Sequence, residues 1–291
     1  MPAWAGDGLA LACALSWAVS VLLFRKLASV DPDAINLFKN VIASVLLLLT
    51  MAATGVGFDW QRSSHDWILL GVSGVLGLAI ADTLFLAGLR RIDASIAAVT
   101  DCVYSPCVII VSMVWLGERL RVGIWIGAPL VVIGLVLVSL RSKLSKPPDG
   151  AGVALALAGV VTTAVGVVLA KPALDNSALV EATTVRLLFG SAGVFLFQLV
   201  TGRVKTGLVL FKPQPIWRHA IPATLLGTYV SMLLWLGGMK YGTPSRTALL
   251  NQMGAIFVLV LSRFLLGEAV PRRRWLGAGV AISGVVLVLA L

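Results

Sequence analysis

The sequence predicts an all-α membrane protein of ten transmembrane helices, arranged as two inverted five-helix repeats, and three observations carry that prediction. The 291 residues are 59% hydrophobic and 12% charged, with a mean hydropathy of +0.98, whereas the surface of a soluble domain is normally about a quarter charged or more. The apolar residues fall into ten runs, each near the roughly 20 residues that a helix needs to cross a hydrocarbon core of about 30 Å. Residues 67–118 return without a gap as 217–268. Thirteen of these 52 positions are identical, among them Trp67/Trp217, Gly77/Gly227, Gly88/Gly238, Ser95/Ser245, Ser112/Ser262 and Leu116-Gly117-Glu118/Leu266-Gly267-Glu268. The register persists through Trp125/Trp275, Gly127/Gly277 and Gly134/Gly284, so apolar composition alone does not explain it. The units are residues 1–146 and 147–291. Each holds an odd number of spans, so the second enters from the opposite face and a pseudo-two-fold axis in the membrane plane relates the two.

The spans cover about 8–28, 34–53, 67–88, 94–116 and 121–140, then 151–170, 180–201, 217–239, 244–265 and 272–290. Span 1 follows Met1 to Asp7, which carries no Lys or Arg and so lacks the basic region of a signal peptide; its repeat partner is 150–171. Span 2 opens after Asp31-Pro32-Asp33 and span 3 after the polar loop 55–66. Small residues recur in span 3 (71–77) and span 5 (123–127), a pattern that lets helices pack closely in lipid. Span 4 contains Pro106, which would kink it; Ile256 stands opposite in the repeat, so the two halves are expected to bend differently. Pro129 and Pro222 lie within spans 5 and 8. The linker 142–150 holds Pro147-Pro148, and Lys212-Pro213-Gln214-Pro215 leads into span 8. No connection is long enough for a soluble domain.

The net charge of +10 and pI near 10.1 come from basic residues set singly or in small clusters at span ends, where helices meet lipid headgroups. No basic face or aromatic platform suggests nucleic acid. Cys13, Cys102 and Cys107 fall inside spans and lack metal-ligand spacing with His65 or His219, so neither a metal nor another cofactor is expected. The expected partners are the lipid bilayer and a small molecule. The face reached by connections 1, 3, 5, 7 and 9, here the odd face, carries fourteen Lys and Arg against five on the even face. By the positive-inside rule the odd face is cytoplasmic and both termini are outside.

Charges within hydrocarbon are costly and are functional candidates by default. Lys39, Asp82, Asp101, Arg186, Arg246 and Arg263 lie within spans, with Asn36, Asn40, Tyr104, Asn251 and Gln252 as polar neighbours. Counted at about 1.5 Å per residue, Lys39, Asp82 and Asp101 share a depth of about 8 to 10 Å below the odd face. One ammonium could there meet two carboxylates. The second unit has Asn251 for Asp101, Gln252 for Cys102, Met232 for Asp82 and, at an offset of 147, Arg186 for Lys39. It keeps a cation and amides but has lost both acids. Lys39 and an acid could simply neutralise each other between helices. Alternatively the second carboxylate stays unpaired, exchanges protons, and with the amides holds a substrate's amino group while Lys39 or Arg186 faces its carboxylate. Glu118 and Glu268 close their helices and are read as structural, pairing with Arg119, Arg121, Arg272 or Arg273 or with backbone. Arg246 and Arg263 are near enough to helix ends to snorkel.

The run from Pro106 into Leu116-Gly117-Glu118-Arg119-Leu120, its echo at Leu266-Gly267-Glu268, the cation early in the second helix of each unit and the duplicated five-helix layout together resemble the EamA repeat of the drug/metabolite transporter superfamily. The resemblance spans essentially the whole chain. It implies two EamA-like repeats forming a ten-helix secondary transporter of the bacterial inner membrane, with a central cavity lined mainly by the third and fourth helices of each unit and their neighbours. It also implies cytoplasmic termini, against the charge count. Asp82 and Asp101 on apolar helices, and Ile256 in place of proline, depart from the family pattern. The expected activity is alternating access for a small polar or zwitterionic metabolite, with amino-acid export foremost and proton coupling open. Asp101, Asn251, Gln252 and Tyr104 would line the path, and Lys39, Asp82 and Arg186 would set its charge. A lipophilic-cation or drug exporter is the rival, though span 1 has only Asp7 before it; a lipid-carrier flippase, a membrane scaffold and an intramembrane enzyme follow.

Overall fold

The computed structural model describes residues 4–27, 29–92, 94–139, 149–265, 267 and 270–291. Readings on Leu266, Glu268 and linker residues 142–148 lie outside the described residues. All ten apolar runs are helices: α1 (Trp4–Leu27), α2 (Pro32–Thr54), α3 (Ser64–Leu89), α4 (Ile96–Leu116), α5 (Val122–Ser139), α6 (Gly150–Leu169), α7 (Leu179–Val200), α8 (Trp217–Tyr241), α9 (Pro244–Leu265) and α10 (Arg272–Ala290). Large apolar side chains such as Val114, Leu196, Phe264 and Leu276 point outward, as a lipid-facing surface requires.

Local chemistry sets the helix ends. Asp31 caps α2, its carboxylate accepting the Asp33 N–H, with Pro32 in the first turn. Ser63 and Thr243 cap α3 and α9 in the same way. Gly117 ends α4 at φ 64° and Gly267 follows α9 at φ 65°, a left-handed conformation that side chains with a Cβ resist. This accounts for the glycine of the repeated Leu-Gly-Glu triplet.

The repeats pack around the predicted axis through paired contacts. A Cβ on Gly277 would lie 2.7 Å from the Gly134 carbonyl, and one on Gly284 would lie 2.7 Å from the Gly127 carbonyl. Because the offset is 150, these two contacts are one contact seen twice, as a two-fold demands. At the crossing of α2 and α7, Ser44 and Ser191 share a hydrogen bond of 3.1 Å at a separation of 147. That is the offset relating Lys39 to Arg186. The first helices are exchanged: α1 packs on α8 and α9, and α6 packs on α3 and α4. The molecule therefore contains two mixed bodies, α3/α4/α6 and α1/α8/α9.

The third and fourth helices of both units are irregular at matching positions. In α3 the Ala81 N–H reaches back five residues to Leu76, and in α8 Ser231 reaches back to Leu226, a wide turn frequent at functional sites. The freed Leu226 carbonyl also accepts the hydroxyls of Ser16 and Ser231 at 2.8 and 2.6 Å. Helix α4 tightens to three-residue hydrogen bonds at Cys102 and Val103, and α9 does so at Met253 and Ala255. Both helices break at the same place although only α4 carries a proline there, and the shortened bonds are not identical, since Met253 and Ala255 are the equivalents of Val103 and Ser105. In α9, Gly254 follows the break and faces α1, where an added Cβ would make an ordinary contact of 3.4 Å with the Ala14 carbonyl.

Candidate functional site

Asp101 and Asn251 are the last residues before these two breaks, with Gln252 and Tyr104 immediately after them. The Gln252 amide donates to the Asp101 carbonyl at 3.0 Å, tying one break to the other across the interface between the mixed bodies.

The two faces differ. On the even face the second half of α4 (Tyr104–Leu116) packs against the first half of α9 (Pro244–Asn251). Leu70, Val108, Val185, Leu236, Met239 and Ala248 form one continuous buried cluster across both bodies there. On the odd face the corresponding halves of α4 and α9 make no comparable contact among the described residues. The apolar residues there include two separate clusters, Leu27, Ala34, Phe38 and Ala220 on one side and Ile92, Ala97 and Ala156 on the other, while Leu135, Val138, Ile256 and Leu259 belong to a third that runs along α5 and α10. The described residues are thus joined across the bodies at the even side and less closely packed between them at the odd side, which we read as a crevice entering from the odd face.

The predicted polar residues sit along this crevice. Lys39 and Asp82 form an ion pair of 3.1 Å, with side chains 19% and 30% exposed. The predicted meeting of one ammonium with two carboxylates is half realised: Asp101 makes no ion pair among the described residues. Asp101 is nonetheless exposed, and the Gln252 amide holds its backbone against the opposite body, so we read its side chain as facing the crevice rather than lipid.

The closed end is formed by Arg186, Trp235 and Tyr104. Arg186 is 1% exposed and is among the largest fully buried side chains. Its guanidinium carbon lies 5.6 Å from the centre of the Trp235 ring, a cation–π contact, and the Trp235 and Tyr104 rings are 6.5 Å apart. Arg186 has no ion pair among the described residues. Its Nε and Nη1, the Tyr104 hydroxyl, the Trp235 indole N–H and the Asn251 carbonyl oxygen are all buried without a hydrogen-bond partner. Buried polar groups are normally satisfied, so the Arg186–Trp235–Tyr104 cluster has hydrogen-bonding capacity to spare. Sequence reading missed Trp235. It lies one turn after Met232, the counterpart of Asp82, so both project from one face of α8.

Other charges are structural. Arg246 does not snorkel; it forks onto Asp7 at 2.7 and 2.8 Å, which fastens α9 to α1. Glu118 accepts a hydrogen bond of 2.8 Å from the Ser245 hydroxyl, a partner absent from the sequence reading because it belongs to the opposite body. Arg62 pairs with Glu181 at 2.6 Å. Arg203 pairs with Asp31 at 3.2 Å and with Asp33. Each of these pairs joins the start of α2 or α7 to the connection that follows the other.

Comparison with known proteins agrees with this layout. The chain matches the model of the EamA-like transporter family over residues 4–140 and 150–290. An uncharacterized transporter of Archaeoglobus fulgidus is 25% identical over 73% of this chain and 75% of its own length. An uncharacterized transporter of a Sinorhizobium species is 26% identical over 43% of this chain and 89% of its own. A crystal structure superposes with a TM-score of 0.81 at 18% identity, covering 98% of this chain and 96% of the other. At that identity it speaks for the fold alone.

Proposed function

The chain belongs to the EamA-like transporter family, and on that premise we propose that it is a secondary carrier of a small zwitterionic metabolite, with an amino acid as cargo and export as direction. It is a multi-pass integral membrane protein with ten spans. The observation that carries the reading is the pairing of opposite, unneutralised charges along one crevice: Asp101 on the wall, and Arg186 at the closed end beside Tyr104 and Trp235. A carboxylate on the guanidinium and an ammonium on Asp101 would satisfy both, and Asn251 and Gln252 add amide groups at the opposite break. The repeats would rock about this region, closing the odd face as the even face opens. Asp101 is the residue through which protons would couple to transport.

The test is counterflow into proteoliposomes holding the purified protein, with a radiolabelled panel of amino acids, nucleosides and organic cations, with and without a pH gradient. Counterflow of amino acids supports the reading. Movement of organic cations alone replaces it with a cation exporter in which Asp101 is the cation site.

A further inference from the structure

Lys39 and Arg186 occupy equivalent places on opposite sides of the membrane centre. Each lies five residues before the serine, Ser44 or Ser191, through which α2 and α7 hydrogen-bond at the axis, which sets each about 7.5 Å from that crossing. Lys39 faces the open odd side and has Asp82 beside it. Arg186 is sealed at the even side, and the residue standing where Asp82 would be is Met232. One cation carries its own counter-ion, and the other has none among the described residues.

In an inverted repeat, changing the open face exchanges the surroundings of equivalent positions. With the odd face closed, Lys39 would take the dry position and Arg186 would meet water. We propose that Asp82 is an internal counter-ion that stands in for the anionic group of the cargo: it neutralises Lys39 when the odd face is shut, as the cargo's carboxylate neutralises Arg186 when the even face is shut. The empty carrier is then comfortable with the odd face closed and carries an unpaired guanidinium in the conformation seen here. A buried charge is tolerated when paired and strongly disfavoured alone. Asp82 thus lets the carrier pass unloaded through one closed state, and Arg186 requires a cargo carboxylate for the other. The role of the cargo rests on the proposed function, whereas the role of Asp82 in the empty protein does not.

Two readouts separate these. In a background with Cys13, Cys102 and Cys107 replaced by alanine, Val108→Cys places a single thiol in the buried even-face cluster, so its reaction with a soluble maleimide in nanodiscs reports even-face opening without cargo. Asp82→Asn is expected to slow this reaction about tenfold or more, and Lys39→Met/Asp82→Asn to restore it, since the double variant has no charge left to neutralise. An unchanged rate in Asp82→Asn, or a double variant as slow as the single one, overturns the proposal. With cargo, Asp82→Asn should keep counterflow, in which both legs are loaded. Loss of counterflow also overturns it. If the wild type moves no amino acid at all, the cargo assignment falls and the labelling result still decides the role of Asp82.

Discussion

The seam between α3 and α7 and the seam between α8 and α2 are the same contact in the two repeats, yet only the first is built from glycine. In α3, a Cβ on Gly74 would run into the Arg186 carbonyl, and one on Gly71 would press on the Phe189 ring at 3.2 Å. In α7, a Cβ on Gly190 would lie 2.7 Å from the Leu78 Cβ. The equivalent positions in the other seam are Thr224, Ile221 and Ala43. Backbones can approach closely in lipid only where side chains are small, so the even half of the molecule can shut more tightly than the odd half. Three glycines break the symmetry of the scaffold in packing, as Asp82 and Met232 break it in charge, and both breaks converge on Arg186.

The largest effect is expected where this packing is filled. Gly74→Val would force α7 away from α3 or unfold the pair, and overpacking of this severity costs about 3 kcal/mol or more. Thermal unfolding followed by size-exclusion chromatography should show loss of the monodisperse protein or a large drop in midpoint. Thr224→Val, at the equivalent place in the looser seam, should change the midpoint far less. Equal sensitivity of the two positions would remove the packing asymmetry.

The next effect concerns charge. Arg186→Met should reduce amino-acid counterflow about a hundredfold, through loss of a desolvated charge-assisted contact, whereas Lys39→Met should cost less than about tenfold because Asp82 already occupies that cation. Comparable losses would mean that cargo uses both cations. Asp101→Asn is expected to act on a different quantity: its rate should stop depending on an imposed pH gradient, and its apparent affinity for zwitterions should fall about tenfold. Retention of both properties would take Asp101 out of the path.

These comparisons also show how far the sequence could be read. Span number, order and inversion were legible because hydrophobic length and an unbroken offset of 150 are one-dimensional signals. Depth was equally legible: Lys39 and Asp82 meet because both lie the same number of helical rises from one face. Helix rotation was not, which is why Asp101 stays outside the pair that Lys39 and Asp82 form. The exchange of α1 and α6 between units was hidden for the same reason, and with it the partners Asp7–Arg246 and Ser245–Glu118. Pro106 drew attention as the cause of a break that α9 makes without proline. Trp235 was passed over because an uncharged aromatic side chain in an apolar span carries no signal of its own until the charge packed on it is known.

The smallest expected effect tests the even-face closure itself. The Ser245 hydroxyl to Glu118 bond of 2.8 Å spans the two mixed bodies at the end where α4 and α9 touch, so it must break when that face opens. The bond is partly buried, and removing one such charge-assisted hydrogen bond is worth about 1 to 2 kcal/mol. Ser245→Ala should therefore speed maleimide reaction of the Val108→Cys thiol by roughly five- to thirtyfold at most, with the lower end expected because Glu118 can rehydrate at the membrane boundary. Arg246→Met, which cuts the Asp7 contact within one body, should leave that rate nearly unchanged while lowering thermal stability. If the two variants behaved alike, the Glu118 contact would be a brace within the fold, and closure of the even face would rest on the glycine seam and the apolar cluster alone.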